Sequence, residues 1–458
     1  MPEVPSHTVI GAGPVGTLMA LLLANRGHSV RLIERRSDPR TAPPERGRSI
    51  NLAMAARGML ALEHAGLLSR ITPAMMPMPG RMLHDEHGAL QFLRYGQNER
   101  EIIYAMSRER LNRILVEAAA ECPGIELRFA TRCVDLDAAG ASVSLRDEHS
   151  GRSYHEPFEV LLGADGAGSA VRAALCARGI LKAHEQPLDH DYKELAIPAD
   201  ATRSERYAFE PRALHIWPRG GYMLIALPNT DGSFTATLFL PRHGVHGFDH
   251  LHNAQYVQHL FKTEFADAQR AIPALTQQFA AHPQGQLGTL YCQRWQFEGR
   301  VLLLGDAAHA IVPFHGQGLN CGFEDCRLLD RLLSSGAART VHERAAAFER
   351  FERERRPDTD AIAAMALENY QEMRDAVRSP QFARRQELAA ALERQFPGRF
   401  IPRYSMVMFH PEIPYSQARS RGSAQRRVLD TLLAEDSTIA PDLASHAHIE
   451  ALLDQSGL

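Results

Sequence analysis

Lysine is almost missing from this chain of 458 residues: three, at Lys182, Lys193 and Lys262, so nearly all of the 51 basic side chains are arginine. That is compositional bias and carries no mechanism. Nor is there an excess of either charge. With 54 acidic residues the formal net charge is −3, which gives no basic field for a nucleic acid backbone. Cysteine is sparse as well, with six residues at 122, 133, 176, 292, 321 and 326. They form no CxxC pair and have no histidines at zinc spacing, so the expectation is reduced thiols and no metal. Long apolar runs are absent too, and about 20 residues are needed to span a bilayer. The opening Pro2-Glu3-Val4-Pro5 leaves no room for a signal peptide, and the ending Ile449 to Leu458 is amphipathic. A soluble, cytoplasmic protein with no membrane anchor is expected. No repeat or low-complexity tract is visible. The 45% hydrophobic content over this length can bury a large core, in two or three domains rather than one.

Against those absences, the amino terminus is dense in signal. His7-Thr8-Val9-Ile10 is a short buried strand that runs into Gly11-Ala12-Gly13-Pro14-Val15-Gly16, a GxGxxG pattern. Gly11 permits the tight turn, Gly13 allows close approach to a pyrophosphate, and Gly16 lets the following helix pack on the strand. That helix runs from about Pro14 to Arg26 and stops at Gly27. A second strand, Ser29 to Ile33, ends in Glu34, followed by Arg35. An acid about 20 residues past the glycines reads a ribose 2′-hydroxyl, which selects FAD or NAD over NADP. Strand, glycines, helix, strand and acid in that order are far more specific than a lone glycine pattern.

The segment Gly299 to Cys326, GRVLLLGDAAHAIVPFHGQGLNCGFEDC, supplies the partner motif. An apolar strand presents Asp306 at its carboxyl end, where a carboxylate can accept from sugar-like hydroxyls. Beyond Pro313, the run Gly316-Gln317-Gly318-Leu319-Asn320 opens a helix whose first N–H groups favour negative charge ahead of them. On a flavin that charge sits at the N1/C2=O edge of the reduced ring. A plain tight turn would explain these glycines but not Asp306. Between the two motifs, Phe158 to Leu162 is an apolar run ending in Gly163-Ala164-Asp165-Gly166. Asp165 could cap the next helix or reach a cofactor, and alone the cap is the simpler role.

Taken together, GxGxxG, the internal DG and the late GD resemble the fingerprints of the group A flavoprotein aromatic hydroxylases, in that family's order and over most of the chain. The strings Arg46 to Ala53, Tyr192 to Leu195, His215 to Gly220 and Leu227 to Thr235 look like one branch in particular. Its substrate is an amino acid with an aminobenzoyl side chain. The resemblance implies an α/β, Rossmann-like FAD-binding fold with an inserted antiparallel-sheet substrate domain and a helical C-terminal region. It implies bound FAD, NADPH as co-substrate without a domain of its own, and dioxygen, with hydroxylation through a flavin C4a-hydroperoxide. By the same likeness Arg81 grips the substrate carboxylate with Tyr95, Asn369 and Tyr404 add polar contacts, and Phe314 and His315 line the ring pocket. Arg48, Arg108, Asp165, Asp306, Pro313, Gly318, Leu319 and Asn320 fall with the cofactor, beside Gly11, Gly13, Gly16, Glu34 and Arg35. No residue is needed as acid or base, because the aniline nitrogen already activates the ring.

Each of these residues has a plainer reading alone: Arg81 a solvated loop cation, Tyr404 a core tyrosine, Asn369 an exposed helical residue, Arg108 and Arg48 ordinary ion pairs. The expected division is an FAD domain of residues 1–76, 99–187 and 291–376, a substrate sheet of 77–98 and 188–290, and a helical region of 377–458. Leu214 to Trp217, Tyr222 to Leu227 and Phe234 to Leu240 read as strands of that sheet, the last two joined by a turn at Asn229 to Gly232. Val341 to Met373 reads as one long helix, with Glu343, Arg344, Glu349 and Arg350 on its wet face. Two other outcomes stay open: a hydroxylase of a different amino-aromatic carboxylic acid, and a non-catalytic FAD-fold binding protein. Monomer and homodimer are equally compatible with the sequence.

Overall fold

Four short runs of mostly apolar residues, His7–Ile10, Val30–Ile33, Val160–Gly163 and Val301–Leu303, are buried at nearly every position. They pair in parallel, as strands covered on both faces do. Ile125–Arg128 extends the sheet at one edge, and the antiparallel Gln296–Phe297 closes the other. His7–Ile10 lies inside this six-stranded sheet, with Val30–Ile33 on one flank and Val160–Gly163 on the other. Strand order therefore reverses at the first strand, and a crevice opens beyond its carboxyl end, where ligands of such sheets bind. The computed structural model describes residues 6–42, 51–334, 340–374, 380–435 and 446–458.

The second large sheet has seven strands. Ala213–Pro218, Met223–Pro228, Phe234–Pro241, Ala183–Ile197 and Gln284–Cys292 are antiparallel neighbours, and the hairpin Gly80–His84 with Leu90–Arg94 joins Ala213–Pro218 in parallel. Side chains alternate across it. Trp217, Leu224, Ala226, Leu238 and Leu240 pack behind, with Phe261 and Phe265 of the covering helical segment. The opposite face looks back toward the first sheet. Ala183–Ile197 and Gln284–Cys292 pair from Ala183↔Cys292 onward, with a register shift between Pro187 and Asp191. They cross the points, 187/188 and 290/291, where the sequence suggests that the chain passes between units.

The long helix spans Val341–Arg374 in one piece, with Pro357 inside it. Pro357 and Arg353, four residues before it, are both exposed, so the interruption lies on the solvent side of the helix, where it costs least. One expectation fails. Arg344 is not on the wet face: it is 5% exposed, its Nε donates to Gly299 O at 3.3 Å and its guanidinium pairs with Glu159 at 2.9 Å. The helix packs against the turn before Val301–Leu303, which lies too far away in sequence for a helical period to reveal. No helix among the described residues is long and apolar enough to cross a membrane.

A buried ionic cluster joins these parts. Arg57, on the helix Ala56–His64, pairs with Glu324 at 2.7 Å, and Arg355 of the long helix pairs with Glu324 at 2.9 Å and with Asp325 at 2.8 Å. Asp325 also meets His309 Nε2 at 2.6 Å and accepts from Gly305 N. Burial pushes the Asp325 carboxyl up, but His309 and Arg355 outweigh it and hold it down to about 2, from an ordinary 3.8. Stability linked to that shift is fully present above the ordinary value and is lost as pH falls toward 2. Arg57 further donates to the carbonyls of Val407, His410, Pro411 and Ile413, and so clamps the turn between the helices Arg403–Phe409 and Tyr415–Glu435.

Removing one partner of such a cluster strands the other charges in the core. Arg355→Met is therefore expected to lose about 3–5 kcal/mol in urea unfolding and to raise the acid-unfolding midpoint. A loss within about 0.5 kcal/mol, the ordinary surface value, would show that the cluster is not needed for folding.

Candidate active site

Between the two sheets lies a cavity of about 400 Å³. Its cofactor end starts at the glycine loop, whose shape is dictated by contact. Gly11 has φ +103°, and a Cβ on it would stand 2.5 Å from Ala164 O; a Cβ on Gly16 would stand 1.9 Å from Gly11 O. A Cβ on Gly13 would meet nothing within 4 Å, so that residue faces open space and lines the cavity with Pro14 and Val15. Glu34 fastens the loop: its carboxylate accepts from Ala12 N at 3.0 Å and from Arg36 N and Nε at 2.9 Å each. Burial raises this carboxyl, but Arg36 and the loop amide outweigh it, and the net shift is downward. Arg35, the neighbour expected to help, is exposed; Arg36 makes the contact.

Arg108, Asp306, Pro313, Gly318 and Leu319 line the same cavity. Asp306 begins the short helix Asp306–His309, and its Oδ1 would be 3.9 Å from a Cβ on Gly318. The carboxylate thus sits beside the start of the helix Gly318–Leu333. Two expected cofactor residues turn elsewhere. Asp165 accepts from Ser169 Oγ, Ala170 N and Val171 N; this is the geometry of a helix cap, and Ala164, Gly166 and Ala167 form the cavity wall instead. Asn320 accepts from Ala55 N at 2.9 Å and donates to Ala53 O and Gly316 O at 2.8 Å each. It pins the helix start to the strand Leu52–Met54. Arg48 lies outside the described residues.

At the other end, Arg81, Tyr95, Phe314, His315, Asn369 and Tyr404 all line the cavity. They come from a strand, the loop after its hairpin, the bend before Gly318, the long helix and the C-terminal region. Tyr404 stacks on Tyr95 at 5.3 Å and on His315 at 5.4 Å, with planes within 17° and 16°. Burial pushes the Tyr95 hydroxyl up to about 12, Tyr404 well above its ordinary value, and His315 down to about 4. All three rings are therefore neutral at neutral pH. His315 Nδ1 is buried with no partner among the described residues. Asn369 donates to Phe314 O at 2.7 Å, which leaves its Oδ1 as an acceptor.

The expected antiparallel sheet forms the floor, though none of its floor side chains was among the candidates. Leu214, Ile216, Met223, Ile225, Leu227 and Phe239 line the cavity from the face opposite Trp217 and Leu238. The alternation in those strands was readable, but which face meets the cofactor is set by the docking of two sheets. A second, open groove of about 640 Å³ around Lys182, His184, Tyr291 and Arg356 includes none of the glycine-loop residues. His309, Cys321 and Asp325 form a compact buried group of metal-ligand type. Arg355 already fills the cation's place there, 3.1 Å from Cys321 Sγ and 2.8 Å from Asp325.

An FAD fold joined to an apolar sheet floor defines a flavoprotein hydroxylase of the group A type. The family described as FAD binding domain matches residues 4–366. Among solved structures, 2-methyl-3-hydroxypyridine-5-carboxylic acid oxygenase superposes with a TM-score of 0.65 at 20% identity, covering 85% of this chain and 96% of the other. PqsL of P. aeruginosa, solved in complex with 2-aminobenzoylacetate, gives 0.66 at 22% identity, covering 83% and 100%. Curated relatives are much more similar. Kynurenine 3-monooxygenase of Stenotrophomonas maltophilia (strain K279a) is 46% identical over 424 residues, 93% of this chain and 91% of the relative. The enzyme of the same name from Myxococcus xanthus (strain DK1622) is 44% identical over 425 residues, 93% and 90%. The chain belongs to the kynurenine 3-monooxygenase family and is an FAD-dependent aromatic monooxygenase.

The glycine loop yields a direct test. Gly16→Ala puts a methyl group into Gly11 O, so the purified variant should lack the yellow flavin absorbance of the parent or fail to fold; normal flavin content would contradict the packing described here.

Proposed function

We propose that this enzyme converts L-kynurenine into 3-hydroxy-L-kynurenine, with NADPH as reductant and dioxygen as the oxygen source. The observation that carries this reading is Arg81, a guanidinium in the cavity wall with no hydrogen bond or ion pair among the described residues. An unpaired cation among neutral side chains calls for an anionic ligand group, and a planar guanidinium suits a carboxylate held by two hydrogen bonds. Tyr95 and Tyr404 keep their protons and can donate to the same carboxylate. The Oδ1 of Asn369 accepts from the substrate ammonium. Phe314, Phe239 and the aliphatic floor hold the aminobenzoyl ring.

Bound and reduced FAD supplies the oxygen activation. Gly13 and Arg108 would hold its pyrophosphate, Asp306 would accept from its ribityl hydroxyls, and the N–H groups of Gly318 and Leu319 would favour negative charge on the reduced ring. The aliphatic floor keeps water from the reacting carbon. His315, neutral at neutral pH, is no imidazolium acid toward the aniline nitrogen, whose lone pair can push electron density to the ring position beside it. Residues 77–98 and 188–290 serve as the substrate unit, 1–76, 99–187 and 291–376 as the FAD unit, and 377–458 as the region that brings Tyr404 over the site.

The test is NADPH oxidation by the yellow protein with and without L-kynurenine, with the product weighed. Stimulation with a product one oxygen heavier supports the proposal; stimulation that yields only hydrogen peroxide would mean that the ring is another one. Arg81→Ala should raise KM for L-kynurenine about 10- to 100-fold, the value of hydrogen bonds to a charged group, while kcat falls much less. An unchanged KM would remove Arg81 from the site.

A further inference from the structure

The start of the helix Gly318–Leu333 does not stand alone. Its N-cap residue, Gln317, is 0% exposed and turns its side chain away from the cavity. There Gln317 Oε1 accepts from the Tyr415 hydroxyl at 2.7 Å, and Nε2 lies 2.9 Å from Met408 Sδ. Met408 lines the cavity and Gln317 does not. Tyr415 is itself fully buried, with the Arg57 guanidinium 4.0 Å and the Arg355 guanidinium 5.8 Å from its ring centre. Cations over the ring make its hydroxyl a stronger donor. Burial drives that hydroxyl well above its usual range, so it always carries the proton that it donates. The next residue, Ser416, is fixed by Asp358 of the long helix through both its N–H and its hydroxyl.

We infer that Tyr415 is a positioning residue for the flavin: through Gln317 it sets the backbone amides of Gly318 and Leu319 that face the reduced ring. This rests on the placement of the N1/C2=O edge at that helix start given above. Gln317 has no side-chain cap bond of its own, and the helix holds only its carbonyl, through Cys321 N at 2.8 Å, so its side chain takes its orientation from partners outside the helix. The hydrogen bond from Tyr415 is one, from a region remote in sequence. Amides aimed at a developing negative charge favour the reduced over the oxidised cofactor, and the benefit falls quickly when they are misaligned. Tyr415 therefore acts on the difference between the two redox states, whereas a purely structural tyrosine would affect both equally.

The experiment is a double-mutant cycle on the holoenzyme, with Tyr415→Phe, Gln317→Leu and the pair, read as the flavin midpoint potential beside the melting temperature. Phenylalanine keeps the ring against Arg57 and removes only the donor. Tyr415→Phe should weaken binding of reduced relative to oxidised FAD by about 2- to 10-fold, a negative shift of up to about 30 mV for a two-electron couple. Gln317→Leu should shift the potential in the same direction, and the double variant by no more than Gln317→Leu alone. A lower melting temperature with an unmoved potential in Tyr415→Phe alone overturns the proposal, as does full additivity. If neither variant moves the potential, the placement of the flavin edge at this helix fails, and the proposal with it. Should Tyr415→Phe not fold, the parent protein with ¹³C-labelled tyrosine serves. Its reduced-minus-oxidised infrared difference spectrum should contain a tyrosine C–O band that Gln317→Leu removes, and its absence in the parent overturns the inference.

Discussion

Two arginines that water hardly reaches, Arg57 at 1% and Arg355 at 2% exposure, hold the molecule in register. Taking such charges out of water costs several kcal/mol per ion, and only near-complete pairing makes that tolerable. Here Glu324 and Asp325 are consecutive on one helix and face both guanidinium groups. Arg57 completes its donors on the carbonyls of a turn some 350 residues away. The cluster cannot be satisfied by a shifted docking of any one of its elements. The site depends on that, because the helix that carries Glu324 and Asp325 also begins at Gly318.

The cavity is a product of two sheets that know nothing of each other locally. The parallel sheet fixes the glycine loop by backbone contact, down to Gly11 O against Gly16. The seven-stranded sheet contributes an aliphatic face with one cation, Arg81, at its hairpin edge. What connects them is the bend from Pro313 to Gly318, which carries Phe314 and His315 toward the floor and the helix start toward the cofactor. A few residues thus touch both halves, and their geometry is held by hydrogen bonds of Asn320, Gln317 and Asn369. These three make hydrogen bonds to main chain or to buried side chains.

This division explains how far the sequence could be read. Local rules sufficed where a feature is closed within a few residues: the glycine loop, the 34-residue helix, the alternation in Met223–Pro228. The family resemblance brought Arg81, Tyr95, Asn369 and Tyr404 to the list, and the fold collects them in one cavity although they span more than 300 residues. Partners across the fold were not legible. Nothing in the helical period of Val341–Arg374 indicates that Arg344 finds Gly299 and Glu159. The acid of the GADG segment serves its own helix, as the simpler reading of Asp165 had it. Glu34 takes Arg36 and not Arg35, because the side chain two residues on can fold back over the carboxylate. Asn320 and Gln317 belong to the run read as cofactor-facing, yet their side chains turn to Ala53 and Tyr415, and Gly318 and Leu319 between them line the cavity.

The C-terminal region is best understood through the same constraint. It supplies Tyr404 and Met408 to the cavity and Tyr415 to the helix start, and all three flank the turn that Arg57 clamps. Tyr404 closes over the substrate end, where burial keeps the stacked Tyr95, Tyr404 and His315 neutral, so Arg81 is the sole net charge among the described residues there. With Arg81 as that charge and an apolar floor beneath it, an anionic group bound there would leave this half of the cavity without net charge. Tyr415, a few residues further on, holds Gln317 at the helix start that lines the other half. One turn, fixed by one arginine, thus lies between Tyr404 in the cavity wall and Tyr415 at the helix start, so the placement of both rests on the same buried cluster.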